Sequence, residues 1–149
     1  MNSGFAIALW IVGSAAAGNG AQSSCARDVH ATATAYRLAD LPQQIRDEMA
    51  AYPEVFGGGL ADSDAPLLQT DAPAAEERDY PTVRFAQAML VGDKWFVQFE
   101  VSLYTGVRTV SFHRHRDGHF RLRPDHFFGG PACASIRAAL DGVTAASVF

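Results

Sequence analysis

The sequence predicts an α+β fold of two layers, in which one N-terminal and one C-terminal helix pack on one face of a four-stranded antiparallel meander. After Pro81 the apolar residues recur with a period of two, as strands require. Three turn signals interrupt that pattern, at Gly92-Asp93, Thr105-Gly106 and Asp117-Gly118. With 149 residues and 48% hydrophobic content, the chain fits one globular domain and not a disordered or collagen-like one.

Residues 1–21 are predicted to be a secretory signal peptide. An apolar stretch from Phe5 to Gly13 precedes small residues around Ala17 and Ala21 that suit a signal peptidase. The stretch is far shorter than the roughly 20 residues of a membrane span. Because no Lys or Arg precedes it, an uncleaved anchor is the alternative. We expect a single domain, 22–149, that meets the membrane only during export. Its 11 Arg to one Lys suggest a bacterial source and hence a periplasmic or secreted location.

The two cysteines, Cys25 and Cys133, both follow the predicted cleavage site. Because an exported chain matures in an oxidising compartment, we expect them to form a disulfide that ties the mature N-terminus to the last helix. The alternative is a lipid-anchored Cys25, since Ser24 is permitted before a lipidated cysteine. That alternative places Gln22 where a lipobox has Leu, and it would leave Cys133 unpaired.

Two helices flank the predicted sheet. The first is predicted over Gln43–Tyr52, with Asp40 as its cap and Pro42 in the first turn. The last is predicted over Pro131–Leu140 and ends before Gly142. Each carries an apolar stripe that would cover the sheet: Leu41, Ile45, Met49 and Tyr52 in the first, and Cys133, Ile136 and Leu140 in the last.

Two segments have weaker patterns. Residues Val29–Leu38 alternate Ala with Thr or Tyr, which fits either a strand or an extension of the first helix. Residues 57–81 are rich in Gly, Pro and acidic side chains, and we expect a long acidic loop there. A short strand near Leu67 and Leu68 is compatible with that loop.

The register of the meander follows from the turns, because each turn length fixes which residues lie opposite each other. Two-residue turns suit the first two signals. A three-residue loop, 116–118, suits the third, with Gly118 in a left-handed bulge position. The predicted pairs are Val91 with Lys94 across the first turn, Phe99 with Phe112 across the second, and His115 with His119 across the third.

This register gives the uncovered sheet face a mixture of charged, amide and apolar side chains, which is typical of a binding surface. Arg108, Arg114 and Arg116 lie nearby and extend its positive field. An ordinary solvated face is the plain alternative. The predicted binding residues are Phe85, Gln87, Met89, Phe96, Gln98, His113, His115, His119, Arg121 and Arg123.

The charge distribution indicates what such a face would bind. Residues 1–80 carry 11 acidic and 4 basic side chains, whereas residues 81–149 carry 5 and 8. Arginine forks suit carboxylates and phosphates, and nearby histidines add charge as the pH falls toward 6. The leading hypothesis is therefore an exported inhibitor, immunity or ligand-binding protein whose partner is an acidic protein or an anionic ligand. The acidic loop of the chain itself could also cover the face. We expect no cofactor and no specific nucleic acid.

Catalysis is the second hypothesis. Glu100 could accept a proton, His113 could donate one, and Arg121 and Arg123 could stabilise developing negative charge during phosphodiester cleavage. In these roles the set resembles the small secreted microbial ribonucleases, which place a Glu, an Arg and a His on an antiparallel sheet. None of that family's sequence signatures is present. The resemblance would imply a metal-independent hydrolase.

A metal site is the third hypothesis. His113 and His115 project to one side of a strand and His119 lies across from His115, so three imidazoles could share a zinc ion. Arg121 and Arg123 would repel that cation, and we therefore expect no metal. The sequence contains no phosphate-binding glycine loop and no Gly-x-Ser-x-Gly nucleophile motif.

Overall fold

A computed structural model describes residues 25–56 and 60–143 of the chain. The predicted signal peptide, residues 1–21, lies outside these residues. Residues 25–28 form one helical turn, and short 3-10 turns span Leu38–Asp40 and Ala75–Glu77. The main elements are β1 (Ala33–Ala35), α1 (Gln43–Ala50), β2 (Val83–Val91), β3 (Lys94–Val101), β4 (Val107–Arg114), β5 (Phe120–Gly130) and α2 (Ala132–Leu140).

The sheet is antiparallel, as predicted, but it has five strands in the order β1-β2-β3-β4-β5. The additional strand is β1, which pairs Ala33 with Leu90 and Ala35 with Ala88. It comes from the segment whose pattern fitted either a strand or a helix. Three residues give too short an alternation to distinguish a strand from a helix. The segment is a strand because it pairs with the edge of β2.

The first and third hairpins have the predicted register. Val91 lies opposite Lys94, and Gly92 between them has a φ of 62°. At the third turn, the His115 N–H donates to the His119 carbonyl at 2.8 Å, and Gly118 has a φ of 84°. This left-handed conformation is accessible to glycine without steric cost, and it explains why a three-residue loop forms there.

The second hairpin differs from its prediction. Phe99 lies opposite Arg108 and not Phe112, which pairs with Trp95, so the register shifts by four residues. The connection spans residues 102–106 in place of the two-residue Thr105-Gly106 turn. Ser102 holds this longer loop, since its N–H donates to the Thr82 carbonyl and its hydroxyl donates to the Leu68 carbonyl, both at 2.7 Å. Such tertiary contacts are not readable from turn residues alone.

A bulge at Ala86 changes the face of one predicted binding residue. Phe85 pairs with Phe99, but Gln87 pairs with Gln98, so β2 holds one extra residue between these pairs. Phe85 therefore points into the main core, where it is completely buried, and not to the predicted binding face. The prediction for Phe85 was wrong because a bulge reverses the alternation on one side of itself.

The two helices lie on opposite faces of the sheet, which corrects the predicted two-layer arrangement. Ile45 of α1 packs in the core that contains Trp95, whereas Ile136 of α2 packs in the cluster that contains Phe96. Successive strand residues such as Trp95 and Phe96 point to opposite faces. We call the face that carries Trp95 the α1 face and the face that carries Phe96 the α2 face.

The predicted disulfide is confirmed. Cys25 and Cys133 are bonded, with their Cα atoms 5.4 Å apart, and the bond joins the first described turn to α2 over a separation of 108 residues. Both cysteines belong to the smaller cluster on the α2 face. The disulfide therefore holds two short elements together over a face that neither could cover alone.

Helix α1 begins without a side-chain cap. Its N-cap residue is Pro42, and Asp40 lies in the preceding 3-10 turn and not at the predicted capping position. The Ile45 N–H donates to the Pro42 carbonyl at 3.0 Å. The helix buries Ile45 and Met49 of its predicted stripe.

Candidate functional site

Half of the predicted binding face is not accessible. Gln87, Met89, Phe96 and Gln98 share one face of the sheet, as predicted, but this is the α2 face, and each is at most 3% exposed. Helix α2 and the disulfide-bonded turn at Cys25 cover them. The mixture of amide and apolar side chains in these strands therefore belongs to an interior. The predicted four-stranded sheet, with both helices on the other face, would not have had an interior on this side.

The buried amides form a ladder that binds the start of α2. Gln87 donates from Nε2 to Gln98 Oε1 at 2.7 Å. Gln98 in turn donates from Nε2 to Thr109 Oγ1 at 2.9 Å and to the Ala132 carbonyl oxygen at 2.8 Å. Buried polar groups require partners of this kind. The three side chains thus explain why polar residues stand in the middle of a covered sheet.

The structure separates Glu100 from His113. Glu100 pairs with Arg84, which donates from Nε at 2.8 Å and also through its terminal nitrogen. His113 lies opposite Lys94 at the other end of β3. Lys94 and Glu100 are six residue steps apart, which is about 20 Å along a strand. The predicted catalytic set is therefore divided between the two ends of the sheet.

The remaining predicted residues come together at the end of the β4–β5 hairpin. We call residues 113–121 the basic hairpin: they contain three arginines, three histidines and one carboxylate, Asp117. His115 and His119 are exposed, and so are Arg114, Arg116 and Arg121. Lys94 of the neighbouring strand lies opposite His113, which lies opposite Arg121. Cationic side chains from three strands thus share this end of the sheet.

Asp117 fixes the tip of the basic hairpin. The His119 N–H donates to Asp117 Oδ1 at 2.9 Å, and this hydrogen bond holds the pKa of the carboxyl below its ordinary value of 3.8. The charges of His119, Arg121 and His115 also lower this pKa. The one carboxylate of the hairpin therefore serves the turn itself, while the cations around it face solvent.

Arg121 is held by a residue of α1. Glu48 accepts a hydrogen bond from Arg121 at 3.2 Å and another from the Leu122 N–H at 3.1 Å. The Glu48 side chain is only 10% exposed, whereas that of Arg121 is 49% exposed. β5 is an edge strand, and Glu48 satisfies one of the N–H groups that such an edge leaves unpaired. Arg121 is thus oriented at the edge of the basic hairpin.

Two further cations near the hairpin have local partners. Arg123 donates to both carboxylate oxygens of Asp125, at 3.0 and 2.8 Å, and this contact raises the pKa of the Arg123 guanidinium. The Arg114 guanidinium lies 5.1 Å from the centre of the Phe120 ring, a cation–π distance. Arg123 is therefore largely neutralised, whereas the Arg114 contact with an uncharged ring leaves its positive charge in place.

The basic hairpin contains a set of three histidines. His113 Nε2 lies 3.2 Å from the hydroxyl oxygen of Ser111. Within the parts of the chain that the structure describes, no group of three or more His, Cys, Asp or Glu side chains could hold a metal ion. The three imidazoles, His113, His115 and His119, therefore add hydrogen-bonding groups to the basic hairpin.

The acidic loop lies away from the basic hairpin. Ala61 bridges to Arg84 at the start of β2, and the Leu68 N–H donates to the Pro81 carbonyl at 3.0 Å. Arg84 also donates to the Ala65 carbonyl at 2.9 Å. These contacts place the loop at the end of the sheet where β2 begins, whereas the hairpin lies at the end where β4 terminates. Within the described residues, positions 114–119 and 121 of the basic hairpin are exposed, and Glu48 of α1 contacts Arg121.

Lys94 and Glu48 were missed as parts of this site. For Lys94 a signal existed, because the Gly92-Asp93 turn ends β2 and begins β3 beside the same sheet end as the third turn. Glu48 reaches Leu122 across a separation of 74 residues. No sequence pattern links two such residues, since the contact depends on where α1 packs.

Comparison with known proteins gives no relative of this chain: no protein-family model, no curated protein and no solved structure matches it. The structure itself defines the class of protein as a disulfide-bonded α/β domain with a helix on each face of its sheet and a basic hairpin at one end. Among residues 25–56 and 60–143, no helix is long and apolar enough to cross a membrane.

Proposed function

We propose that this protein is an exported bacterial binding protein, of the inhibitor or immunity type, whose basic hairpin recognises an acidic surface on a protein partner. The observation that carries the proposal is the cluster of exposed residues at positions 114–119 and 121, among which are three arginines and two histidines. Arginine presents a planar fork of donors that matches carboxylates. Complementary charge of this kind favours fast and specific association.

The opposed charge of the two sheet ends supports the same proposal. Residues 60–81 hold six carboxylates and one Arg, and they lie at the other end of the sheet from the basic hairpin. These two segments therefore carry opposite net charge at opposite ends of the strands. A polarised field orients an approaching charged partner before contact, so that the basic end meets an acidic surface first.

The disulfide supports export as part of this proposal. Disulfides persist in the periplasm and outside the cell, and they are rare in the reducing cytosol. We infer cleavage after the signal peptide 1–21 and a periplasmic or secreted product. Expression of the full chain in a bacterium, followed by N-terminal sequencing of the exported product, should give a start near residue 22. A product that retains residues 1–21 would contradict the cleavage.

The hydrolase alternative has less support. A proton acceptor and a proton donor must both reach one phosphodiester, but Glu100 is paired with Arg84 about 20 Å along β3 from the strand partner of His113. Of the four residues in that set, the structure brings only His113, Arg121 and Arg123 to one sheet end. Because Glu100 and His113 lie at different ends of the sheet, the arrangement suits binding better than acid–base catalysis.

The test is a titration of the disulfide-bonded protein, monitored by backbone-amide NMR. The probes are an oligo-glutamate peptide and an RNA oligonucleotide of equal charge. We expect the peptide to shift the amides of residues 113–121 and Lys94, and the shifts to decrease as salt screens the charges.

Three outcomes would contradict the proposal. Peptide-induced shifts confined to other regions would show that the peptide binds elsewhere. The absence of shifts at low salt would show that the peptide does not bind. Cleavage of the RNA by the wild type, with loss of cleavage in both Glu100→Gln and His113→Ala, would instead establish the hydrolase alternative.

A further inference from the structure

A cavity of about 300 Å³ lies beside α1, away from the basic hairpin. Its wall is mostly apolar and includes Leu38, Met49, Pro53, Phe56 and Leu60. Met49 and Phe56 also belong to the main core, and the Phe56 ring packs 5.4 Å from that of Phe99. The cavity therefore has a wall that is fixed by the packing of the domain.

One charged residue, Arg46, lines this apolar cavity. Its terminal nitrogen donates to Gln43 Oε1 at 2.5 Å, one turn earlier in α1. Its Nε atom is buried and has no hydrogen-bond partner among the residues that the structure describes. Nearly all buried N–H groups in proteins have a partner, so an unpaired guanidinium N–H beside an apolar cavity indicates an acceptor that the protein itself does not supply.

We propose that this cavity binds a small amphipathic carboxylate, whose alkyl or aryl group fills the apolar wall and whose carboxylate accepts a hydrogen bond from Arg46. A cavity of this size lies at the lower end of the range for ligand pockets. At roughly 30 Å³ for each water-sized group it holds about ten non-hydrogen atoms, as in a medium-chain fatty acid or a phenylalkanoate. This site is independent of the basic hairpin.

Two methionines give a direct test, because they report on different faces of the sheet. Met49 lines the cavity, whereas Met89 is fully buried in the cluster under α2. The disulfide-bonded protein is labelled at the methionine methyl carbons and titrated with octanoate, 3-phenylpropanoate or the neutral octanamide. We expect a carboxylate to shift the Met49 methyl signal and to leave that of Met89 unchanged. The two carboxylates distinguish an alkyl from an aryl preference.

The contribution of Arg46 is tested by variants. Arg46→Gln removes the charge, and we expect it to weaken binding of the preferred carboxylate by at least about tenfold, the scale of a hydrogen bond to a charged group. Octanamide should bind to the wild type more weakly than octanoate by a similar factor. Arg46→Lys should show an intermediate loss. Arg37→Gln is the matched control, because Arg37 is exposed and its guanidinium lies 3.7 Å from Asp64.

The proposal is overturned if neither carboxylate shifts Met49 up to about 10 mM, the limit of weak specific binding. It is also overturned if octanamide binds as tightly as octanoate, or if Arg46→Gln, with unchanged amide dispersion, binds octanoate like the wild type. Equal shifts at Met49 and Met89 would show non-specific binding and would reject the site. None of these results depends on the basic hairpin.

Discussion

Gln98 in the central strand donates a hydrogen bond from its side-chain amide to the carbonyl oxygen of Ala132, the first residue of α2, at 2.8 Å. Gln98 is fully buried, and it also contacts Gln87 and Thr109. This row of polar side chains fixes the helix on the sheet. The α2 face is therefore an interior held by hydrogen bonds and a disulfide.

Replacement of Gln98 should destabilise the protein strongly. Gln98→Met keeps the size of the side chain but removes three hydrogen bonds and leaves their partners buried, so we expect a loss of about 2–4 kcal/mol. Gln87→Met is the matched control, because Gln87 makes one such bond and its Oε1 has no partner within the described part of the chain. Its expected loss is below about 1 kcal/mol. Urea unfolding measures both, and equal losses would contradict the ladder's role.

The disulfide, which also lies on the α2 face, should stabilise the folded domain. Replacement of Cys25 and Cys133 by Ser together should lower the free energy of unfolding by about 2–5 kcal/mol, because the closed loop of 108 residues restricts the unfolded chain. Reductant should lower the stability of the wild type toward that of the double variant and should not affect the variant. Unfolding curves with and without reductant provide the measurement. A reductant-insensitive wild type would contradict this role.

The sequence predicts most of the local structure and only part of the site. Turn chemistry gave the correct register where glycine adopts a left-handed conformation in a short loop, as at Gly92 and Gly118. It failed where tertiary contacts decide. The bulge at Ala86 turns Phe85 into the core, and the hydrogen bonds of Ser102 lengthen a loop and move Glu100 away from His113.

The sequence pattern also does not predict which face of the sheet α2 covers. Its stripe of Cys133 and Ile136 shows that one side is buried, but it does not say against which face of the sheet. The sequence did contain one clue. The glutamines lie in a row beside the apolar Phe96, and this combination would have been unusual on a solvated face. The predicted disulfide was correct, and its prediction needed only the cysteine count and an expected oxidising compartment, without knowledge of the sheet.

Glu48 should matter more for stability than its partner Arg121. Glu48→Ala leaves the Leu122 N–H without its acceptor, and we expect a loss of about 1–2 kcal/mol. Arg121→Ala removes a half-exposed ion pair and should cost less than about 1 kcal/mol. Glu54→Ala, at an exposed position after α1, is the control for a lost carboxylate. A larger effect of Arg121→Ala than of Glu48→Ala, measured by denaturant unfolding, would contradict the role of Glu48 at the strand edge.

The tip of the basic hairpin should loosen in acid. Because the pKa of Asp117 is lowered below 3.8 in the folded protein, its carboxylate stabilises the hairpin above that pH, and the stabilisation is lost as the pH falls through the lowered pKa. NMR titration of the Asp117 carboxyl carbon should give a midpoint below 3.8, and the His119 amide signal should move with it. In Asp117→Asn this movement should disappear. A midpoint at or above 3.8 would show that the hydrogen bond does not favour the charged form.

The affinity of a charge-reversed hairpin for an acidic peptide tests the central claim most directly. Arg114→Glu with Arg116→Glu is compared with Arg37→Glu with Arg78→Glu, because all four arginines are exposed and both pairs change the net charge equally. The hairpin variant should bind an oligo-glutamate peptide at least about tenfold more weakly than the wild type, and the control should bind within about threefold of it. Equal weakening in the two variants, or none in the hairpin variant, would contradict recognition by the basic hairpin.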